Sequence, residues 1–365
     1  MSTATLGDVL SKRTTEGVLY EKLEKNAVRC FACGHRCKIL DGLKGICKVR
    51  YNEDGVLKVP RGYVAALQVD PIEKKPFFHA YPGALALSFG MLGCDYHCGY
   101  CQNWVTSQAL RDPVAGAPPE DVEPAELVKL AIKHGAKVIT STYNEPLITS
   151  EWAVEVFKEA KKSGLVCSYV SNGNGTPEVL EYIAPYVDLY KVDLKGFDDR
   201  HYRDLGGVLQ PVLDTIRELK RRNIWLEIVT LVIPDFNDSN DELTKIAEFL
   251  ASIDRDIPWH ITAYHEDYKM HNAPTTASHL LRAYDIGKRA GLRYVYPGNI
   301  PAGFGDKEGT HCPNCNALVV GRIGFRVTSY RLVDGKCAEC ATEVPGVWGD
   351  GGVVGRNGIP RPLWL

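Results

Sequence analysis

Three cysteines with close, unequal spacing are the residues of this sequence with the clearest potential for chemistry. Cys94, Cys98 and Cys101 lie in the segment GMLGCDYHCGYCQNW, separated by three residues and then by two. Three thiolates can hold three corners of a cubane iron–sulfur cluster and leave its fourth iron open. An open iron can bind a small molecule, to which the reduced cluster passes one electron. The alternatives are a three-thiolate zinc site or a fourth cysteine from elsewhere in the chain.

A second set of cysteines lies near the end of the sequence. Cys312, Cys315, Cys337 and Cys340 form two CxxC pairs separated by about twenty residues, a spacing typical of a four-thiolate zinc ribbon. The segment between the pairs is strand-like, with a predicted turn at residues 334–335. We favour zinc, because two matched pairs close a tetrahedron. An auxiliary [4Fe-4S] cluster or a rubredoxin-like iron would use the same four thiolates.

A third set precedes the three-cysteine segment. Cys30, Cys33, Cys37 and Cys47 supply four thiolates at irregular spacing, with His35 among them. We slightly favour zinc, while an auxiliary cluster that relays electrons or binds substrate is the alternative. Since four thiolates complete either site, His35 is expected outside the ligand set.

Composition narrows the functional classes. The 365 residues carry 45% apolar side chains, 24% charged side chains and a formal net charge of −2. This balance gives no reason to expect nucleic acid or an anionic membrane as a partner. No apolar run approaches the roughly 20 residues of a membrane span. The first residues lack the apolar stretch of a secretory signal, so we expect a soluble, cytoplasmic protein.

The number of cysteines supports the same compartment. Eleven of the twelve fall in the three clusters described above. Clustered thiols in a reducing compartment bind metals more often than they form disulfides. Cys167, inside the apolar run LVCSYV, is expected to be a core residue.

The elements that must position these residues alternate between strand and helix. Amphipathic helical segments separate the strand-like runs, a pattern that indicates a parallel sheet. We therefore predict an α/β fold: a partial, TIM-like (β/α)6 barrel over residues 79–300, whose site residues lie at the carboxyl ends of the strands. A Cys-rich module (1–78) precedes the barrel, and a zinc-ribbon-like module with a tail (301–365) follows it. The strand-like runs cover residues 84–90, 137–143, 165–171, 187–194, 224–233, 258–264 and 292–296.

The three-cysteine segment, with Tyr100 before its last cysteine, resembles the signature of the radical S-adenosylmethionine (SAM) superfamily. The resemblance implies that the open iron of a [4Fe-4S] cluster binds SAM. Reductive cleavage of SAM would then form a 5′-deoxyadenosyl radical that abstracts hydrogen from a substrate.

Polar residues at the strand ends extend the resemblance to the branch that includes pyruvate formate-lyase activating enzymes. TYNEP (142–146) resembles the Gly-Gly-Glu-Pro segment of that branch, although Tyr143 and Asn144 replace the glycines. SNG (171–173) resembles its Thr-Asn-Gly, and DLK (193–195) resembles its Asp-Leu-Lys. The resemblance and the strand-end positions imply a set of cofactor-binding residues. They are Tyr100, Asn144, Glu145, Ser171, Asn172, Asp193, Lys195 and His265.

Over most of its length the sequence is most similar to the radical SAM member of the AmmeMemoRadiSam system. The shared segments are CFACGHRCKILDGLKGICKVR, GCDYHCGYCQNW, TYNEP and the final CPNC and CAEC pairs. The resemblance implies an enzyme with a [4Fe-4S] cluster and SAM, and the spacing of the flanking cysteine sets adds one or two zinc ions. It also implies an electron donor such as flavodoxin or ferredoxin.

The substrate is a small molecule or a protein that the sequence does not identify. The alternatives are an activase that installs a glycyl radical on a partner protein, a radical SAM methyltransferase, and a non-catalytic metal-binding scaffold.

Overall fold

Seven parallel strands form the central sheet of the protein, in the order in which they occur along the chain. The computed structural model describes residues 5–301, 303–349, 351–355 and 361–363. All seven predicted strands are confirmed, with boundaries within a few residues. They are β1 (Leu85–Gly90), β2 (Ala136–Ser141), β3 (Val166–Ser171), β4 (Leu189–Asp193), β5 (Trp225–Val232), β6 (Trp259–Ala263) and β7 (Val295–Gly298).

Two antiparallel strands extend the sheet beyond β1. Ala66–Pro71 pairs with β1, and Arg361–Pro362 from the end of the chain pairs with Ala66–Pro71. At the opposite edge, β7 contains Pro297, which an edge strand tolerates because its backbone needs no donor on the open side. Residues 356–360 and 364–365 of the predicted tail lie outside the described residues.

A helix follows each of the first six strands, as predicted. The Thr176 hydroxyl caps its helix by accepting from the Val179 amide, and Pro177 occupies the first helical position. The fourth helix begins earlier than predicted, because proline is tolerated in a first turn and Pro211 lies there. The helices are α1 (Pro124–Lys133), α2 (Ser150–Lys162), α3 (Pro177–Ile183), α4 (Leu209–Arg221), α5 (Asn240–Ile253) and α6 (Ala277–Arg289).

Shorter helical segments lie in the connections. Some are α-helical and others 3-10, and none of the described helices is long and apolar enough to cross a membrane. They are Leu6–Ser11, Glu24–Asn26, Ile72–Lys74, Trp104–Ser107, Pro146–Thr149, Asp199–Asp204 and Gly305–Glu308.

The residues before the sheet form small antiparallel sheets that pack beside α2 and α3. The Arg50 guanidinium crosses to α2, where it donates to both carboxylate oxygens of Glu151 at 2.7 and 2.8 Å. Arg36 pairs with Glu178 of α3 on the surface. The strands are Thr14–Glu16, Tyr20–Lys22, Val28–Cys30, Lys38–Ile39, Tyr51–Glu53, Val56–Pro60 and Tyr63–Val64, the last of which pairs with Glu120–Asp121.

The residues after β7 form a three-stranded sheet and a hairpin. Both Asp334 and Gly335 have positive φ, as a type I′ turn requires, so the predicted turn is confirmed. This unit shares an apolar cluster with Phe78, Tyr294 and Tyr296 of the central fold. Its strands are Thr310–His311, Leu318–Ile323, Arg326–Tyr330, Leu332–Val333 and Lys336–Cys337.

The main apolar core lies between the sheet and its helices. Cys167 is fully buried there, and its sulfur lies 3.9 Å from the Phe157 carbonyl oxygen of α2. The prediction that Cys167 is a core residue is therefore confirmed.

The two ion pairs between the N-terminal residues and the helices differ in burial, which makes them a matched test. Arg50 and Glu151 are 1% and 6% exposed, whereas Arg36 and Glu178 are each 40% exposed. We expect Glu151→Gln to lower the free energy of unfolding by about 3 kcal/mol, because it leaves a buried guanidinium without a counter-charge. Glu178→Gln should cost less than about 1 kcal/mol. Denaturant titration measures both, and equal losses would contradict this account.

Candidate functional site

The three-cysteine loop begins where β1 ends and packs directly against the N-terminal residues. Gly93 has a φ of 90°, and a β-carbon there would lie 3.0 Å from the Cys47 carbonyl oxygen and 2.7 Å from a methyl group of Val49. Glycine is therefore needed both for the backbone conformation and for the close approach. The Arg111 guanidinium stabilises the contact by donating to the carbonyl oxygens of Tyr96 and Ile46.

The structure brings the three predicted cluster ligands to one recess at the carboxyl ends of the strands. Cys94, Cys98 and Cys101 all line it. Burial raises the pKa of the Cys98 thiol to about 12. A thiolate forms there at neutral pH only beside a positive charge, which the iron of a bound cluster would supply.

The distances between cysteine sulfurs distinguish a site for an iron–sulfur cluster from a site for a single metal ion. Zinc–sulfur bonds of 2.3 Å in a tetrahedron place the sulfurs about 3.8 Å apart. Among the described residues, one cysteine set alone brings three or more donor atoms within 4.8 Å of one another, and the three-cysteine loop is not that set. The three sulfurs of the loop therefore lack the spacing of a single tetrahedral zinc ion.

The Glu145 carboxylate connects the loop after β2 to the end of β3. It accepts from the Ser171 hydroxyl at 2.6 Å, from the Leu147 amide at 3.1 Å and from the Asn172 amide at 2.7 Å. A carboxylate has about four acceptor positions, so one remains for a ligand. Burial, together with the neighbouring carboxylate of Asp95, raises the pKa of Glu145 to about 8.

Asp95 is a second buried carboxylate in the same region, and the sequence reasoning did not select it. Its two oxygens accept from the side-chain amides of Asn172 and Asn174, each at 2.8 Å. In the part of the chain that the structure describes, neither Asp95 nor Glu145 has a Lys, Arg or His partner. Two buried carboxylates without counter-charges favour a positively charged ligand nearby.

Asn144 and Tyr143 have structural roles in the loop after β2. The Asn144 side chain accepts from the Met91 amide at 3.0 Å and donates to the Glu145 carbonyl oxygen at 3.1 Å. Tyr143 has a φ of 69°, in the left-handed region that favours glycine. The tyrosine therefore adopts the backbone shape expected of the glycine it replaces.

Asp193 lies between two lysines at the end of β4. It pairs with the ammonium group of Lys191, and its other oxygen lies 3.7 Å from that of Lys195. The Lys195 nitrogen is 5.9 Å from the centre of the Tyr100 ring. Asp193 and the two lysines together therefore carry one excess positive charge. This charge lies beside Cys98 and favours its thiolate form.

His265 lies apart from these residues. It is exposed, and its Nε2 lies 3.0 Å from the side-chain nitrogen of Gln102, the residue after Cys101. It is not among the residues that line the recess or the cavity described next.

A cavity of about 500 Å³ continues the recess toward the interior of the sheet. Lys75 lies in its wall, 5% exposed, with its nitrogen 2.5 Å from the Asp70 carboxylate. Burial lowers the pKa of Lys75 to about 8. His260, in the same wall, pairs with the buried Glu227 at 2.7 Å. The cavity can hold a small molecule or a side chain.

The two flanking cysteine sets differ in spacing. In the C-terminal set, the sulfurs of Cys312 and Cys340 are 3.5 Å apart, and those of Cys315 and Cys337 are 3.7 Å apart. All four lie within 4.8 Å of one another. In the N-terminal set, three thiols are buried and Cys37 is partly buried, but no three sulfurs lie that close.

Sequence reasoning missed residues whose importance depends on tertiary contacts. The sequence did contain a signal for Asp95, because this residue lies between two predicted cluster ligands, Cys94 and Cys98. Asn174 follows Asn172 by two residues, and its backbone oxygen accepts from the Gly34 amide. Lys75 and Lys191 had none, because the fold alone brings them to the cavity.

The sheet and the recess define a parallel α/β protein with a three-thiolate site at its strand ends. Comparisons with known proteins agree with this description. Residues 90–250 match the Radical SAM superfamily. The uncharacterized protein MJ0808 of Methanocaldococcus jannaschii is 36% identical over 334 residues, which cover 90% of this chain and 98% of that protein. The pyruvate formate-lyase-activating enzyme of Staphylococcus aureus is 27% identical over 226 residues, covering 57% of this chain and 88% of the enzyme.

A solved structure gives a further likeness. A domain of a pyruvate-formate lyase-activating enzyme from Bacteroides vulgatus is 21% identical, with a TM-score of 0.40, covering 45% of this chain and all of that domain. The chain belongs to the radical SAM superfamily, whose members are enzymes. Membership implies a [4Fe-4S] cluster and SAM as ligands of this fold.

The buried carboxylates predict how SAM affinity responds to substitution. We expect Glu145→Gln to weaken SAM binding about tenfold, because the recess loses a negative charge while keeping its shape. Glu155→Gln on the outer part of α2 makes the same chemical change and should leave the affinity unchanged. Calorimetric titration of SAM into anaerobically reconstituted protein measures both, and equal affinities would refute the role of Glu145.

Proposed function

We propose that this protein cleaves SAM reductively and abstracts a hydrogen atom from a substrate held in the cavity. When bound to Cys94, Cys98 and Cys101, a [4Fe-4S] cluster supplies the electron that yields methionine and the 5′-deoxyadenosyl radical. The observation that carries the proposal is continuity: Cys98 and Cys101 line both the recess and the cavity. A radical formed in the recess would therefore lie next to a substrate in the cavity.

The residues of the recess bind and orient SAM. Glu145 and Asp95 attract its ammonium group, and the hydrogen bonds from Asn172 fix both carboxylates in place. Lys195 offsets the negative charge of the cluster thiolates. Tyr100, 5% exposed, covers the side of the cavity beside the cysteines and excludes water.

The overall organisation belongs to the same proposal. Six strand–helix units form a partial (β/α)6 barrel over residues 79–300, with flanking modules at 1–78 and 301–365. The arrangement of seven parallel strands and their helices supports this division. We place the protein in the cytoplasm, because its cysteines are grouped as metal ligands are and none of the twelve, all of them among the described residues, forms a disulfide.

The cluster ligands and a buried core cysteine provide a matched test of the chemistry. We expect Cys101→Ala to remove the cluster and abolish 5′-deoxyadenosine formation from SAM and dithionite. Cys167→Ala makes the same change in the core. This variant should retain both the cluster and 5′-deoxyadenosine formation. Nucleoside products are identified by mass spectrometry after anaerobic reconstitution. Full activity in Cys101→Ala would exclude the ligand assignment, and a non-catalytic scaffold would form no 5′-deoxyadenosine in any variant.

An activase acting on a partner protein is the second candidate. The likeness to the Staphylococcus aureus pyruvate formate-lyase-activating enzyme favours it. In that case a glycine of the partner enters the cavity, and a glycyl radical signal in electron paramagnetic resonance (EPR) spectra of the partner identifies the reaction. A methyltransferase would instead form S-adenosylhomocysteine.

The C-terminal cysteine set has the dimensions of a mononuclear zinc site. Sulfur separations of 3.5 and 3.7 Å agree with the value of about 3.8 Å for tetrahedral zinc. A [4Fe-4S] cluster needs a wider set, and rubredoxin-like iron is the remaining alternative. We propose that zinc here stabilises the C-terminal module.

Removing one C-terminal ligand tests the zinc assignment. We expect Cys312→Ser to lower the zinc content by one ion per chain and to leave the iron content unchanged, because the barrel ligands are intact. Cys167→Ser controls for loss of a buried thiol. Plasma emission spectrometry measures both metals, and loss of iron instead of zinc would show a rubredoxin-like site.

A further inference from the structure

Two nearly buried lysines face the part of the cavity that lies beyond the recess. Lys75 is 5% exposed and Lys191 is 4% exposed, and both line the cavity but not the recess. Lys75 directly follows the helical segment Ile72–Lys74, whereas Lys191 lies on β4. Lysine is almost never fully buried unless it is paired, because water solvates its charge strongly. The partners of these two ammonium groups therefore decide what the cavity can bind.

Lys75 belongs to a set of two lysines and one carboxylate, which we call the Asp70 set. The fully buried Asp70 accepts from Lys75 at 2.5 Å and from Lys74 at 3.1 Å. One carboxylate cannot neutralise two ammonium groups, so the Asp70 set carries one excess positive charge. Asp193 forms an equivalent set with its own two lysines, but in the proposed function the cluster thiolates offset the charge of that second set.

The other acidic groups near the cavity have partners of their own. Glu73 lines the cavity and lies 3.8 Å from the guanidinium of Arg322. Burial raises the pKa of Glu73 to about 7, so its negative charge is weakened as well. Glu227 pairs with His260 at 2.7 Å. The excess positive charge of the Asp70 set is therefore left for a ligand.

Both lysines of the cavity wall keep unused hydrogen-bond donors. An ammonium group has three N–H donors. Lys75 uses one for Asp70 and one for the Tyr143 hydroxyl, which lies 3.3 Å away. Lys191 uses one for Asp193. Among the described residues, one donor of Lys75 and two donors of Lys191 therefore remain without a partner. A carboxylate has two oxygens with about four acceptor positions, which is enough for both lysines.

Much of the remaining cavity wall is apolar. Its apolar and aromatic side chains include Phe78, Tyr100, Val229, Leu231 and Phe325. Apolar walls bind the hydrocarbon body of a ligand, while a few charged groups fix its orientation. The single excess charge of the Asp70 set matches one carboxylate, whereas a phosphate dianion would exceed it. The cavity therefore has the chemistry that an organic acid requires.

We propose that the substrate carries a carboxylate that binds to Lys75 and Lys191, and that its carbon chain lies along the apolar wall. The inference rests on the proposed function, because it names the substrate class of the same cavity. The 5′-deoxyadenosyl radical takes one hydrogen atom from a carbon of the chain. One C–H bond of the substrate breaks, one C–H bond of 5′-deoxyadenosine forms, and the unpaired electron stays on the substrate carbon. The carboxylate is not consumed in this step.

Matched pairs of anionic and neutral probes test the substrate class. A free organic acid and an acidic side chain of a peptide present the same group, so each source has its own pair. The first pair is butyrate and butyramide, and the second is the blocked tripeptide Gly-Glu-Gly and its Gly-Gln-Gly counterpart. Calorimetric titration into anaerobically reconstituted protein with bound SAM should show about tenfold tighter binding of butyrate than of butyramide.

Each result of these titrations has one meaning. A preference confined to the peptide pair would support the carboxylate site with a peptide as its source. Equal binding within both pairs would overturn the proposal. Tighter binding of inorganic phosphate than of either carboxylate would also overturn it.

Variants of Lys75 test whether the preference comes from the Asp70 set. We expect Lys75→Met to remove the tenfold preference for butyrate and to keep the fold, because Asp70 retains Lys74 as its counter-charge. Lys75→Arg restores a positive charge and should recover part of the preference. The matched control is Lys161→Met, which removes a lysine paired with Asp188 outside the cavity and should keep the full preference. An unchanged preference in Lys75→Met would overturn the proposal.

Formation of 5′-deoxyadenosine separates this inference from the proposed function. A protein that prefers the anionic probes but forms no 5′-deoxyadenosine would count against the proposed function alone. A protein that forms 5′-deoxyadenosine but binds anionic and neutral probes equally would overturn the substrate class alone.

Discussion

The geometry of the site depends on two neighbouring carboxylates that are buried without counter-charges. Glu145 and Asp95 accept hydrogen bonds from Ser171, Asn172 and Asn174, and these bonds fix the loops after β1, β2 and β3 relative to one another. The raised pKa of Glu145 shows that this arrangement resists holding two negative charges. A cationic ligand removes that penalty, so ligand binding and loop order are energetically coupled.

The same principle of paired charge organises the rest of the interior. Asp193 neutralises one of two lysines, Asp70 holds Lys75, and Glu227 holds His260. Each pair lies in the wall of the recess or cavity or directly behind it. The interior is thus polar where a ligand would bind and apolar between the sheet and the helices.

The sequence was sufficient for the strands and helices, because apolar runs and caps such as Thr176 are local signals. Glu145, Asn172, Asp193 and Lys195 lie together as predicted, since parallel strands end at one edge, whereas His265 lies apart from them. The sequence could not show that Asn144 and Ser171 bond mainly to neighbouring protein groups. Nor could residue spacing distinguish the two flanking cysteine sets, because the distance between sulfurs depends on how distant segments pack.

The open sheet has a consequence for how this protein behaves in a crowded solution. Unpaired strand edges can recruit other chains and start aggregation. Here one outer strand contains Pro297 and the other contains Pro362. Proline lacks the amide hydrogen that a further strand would need. Both edges of the sheet therefore discourage edge-to-edge association, although the sheet does not close on itself within the described residues.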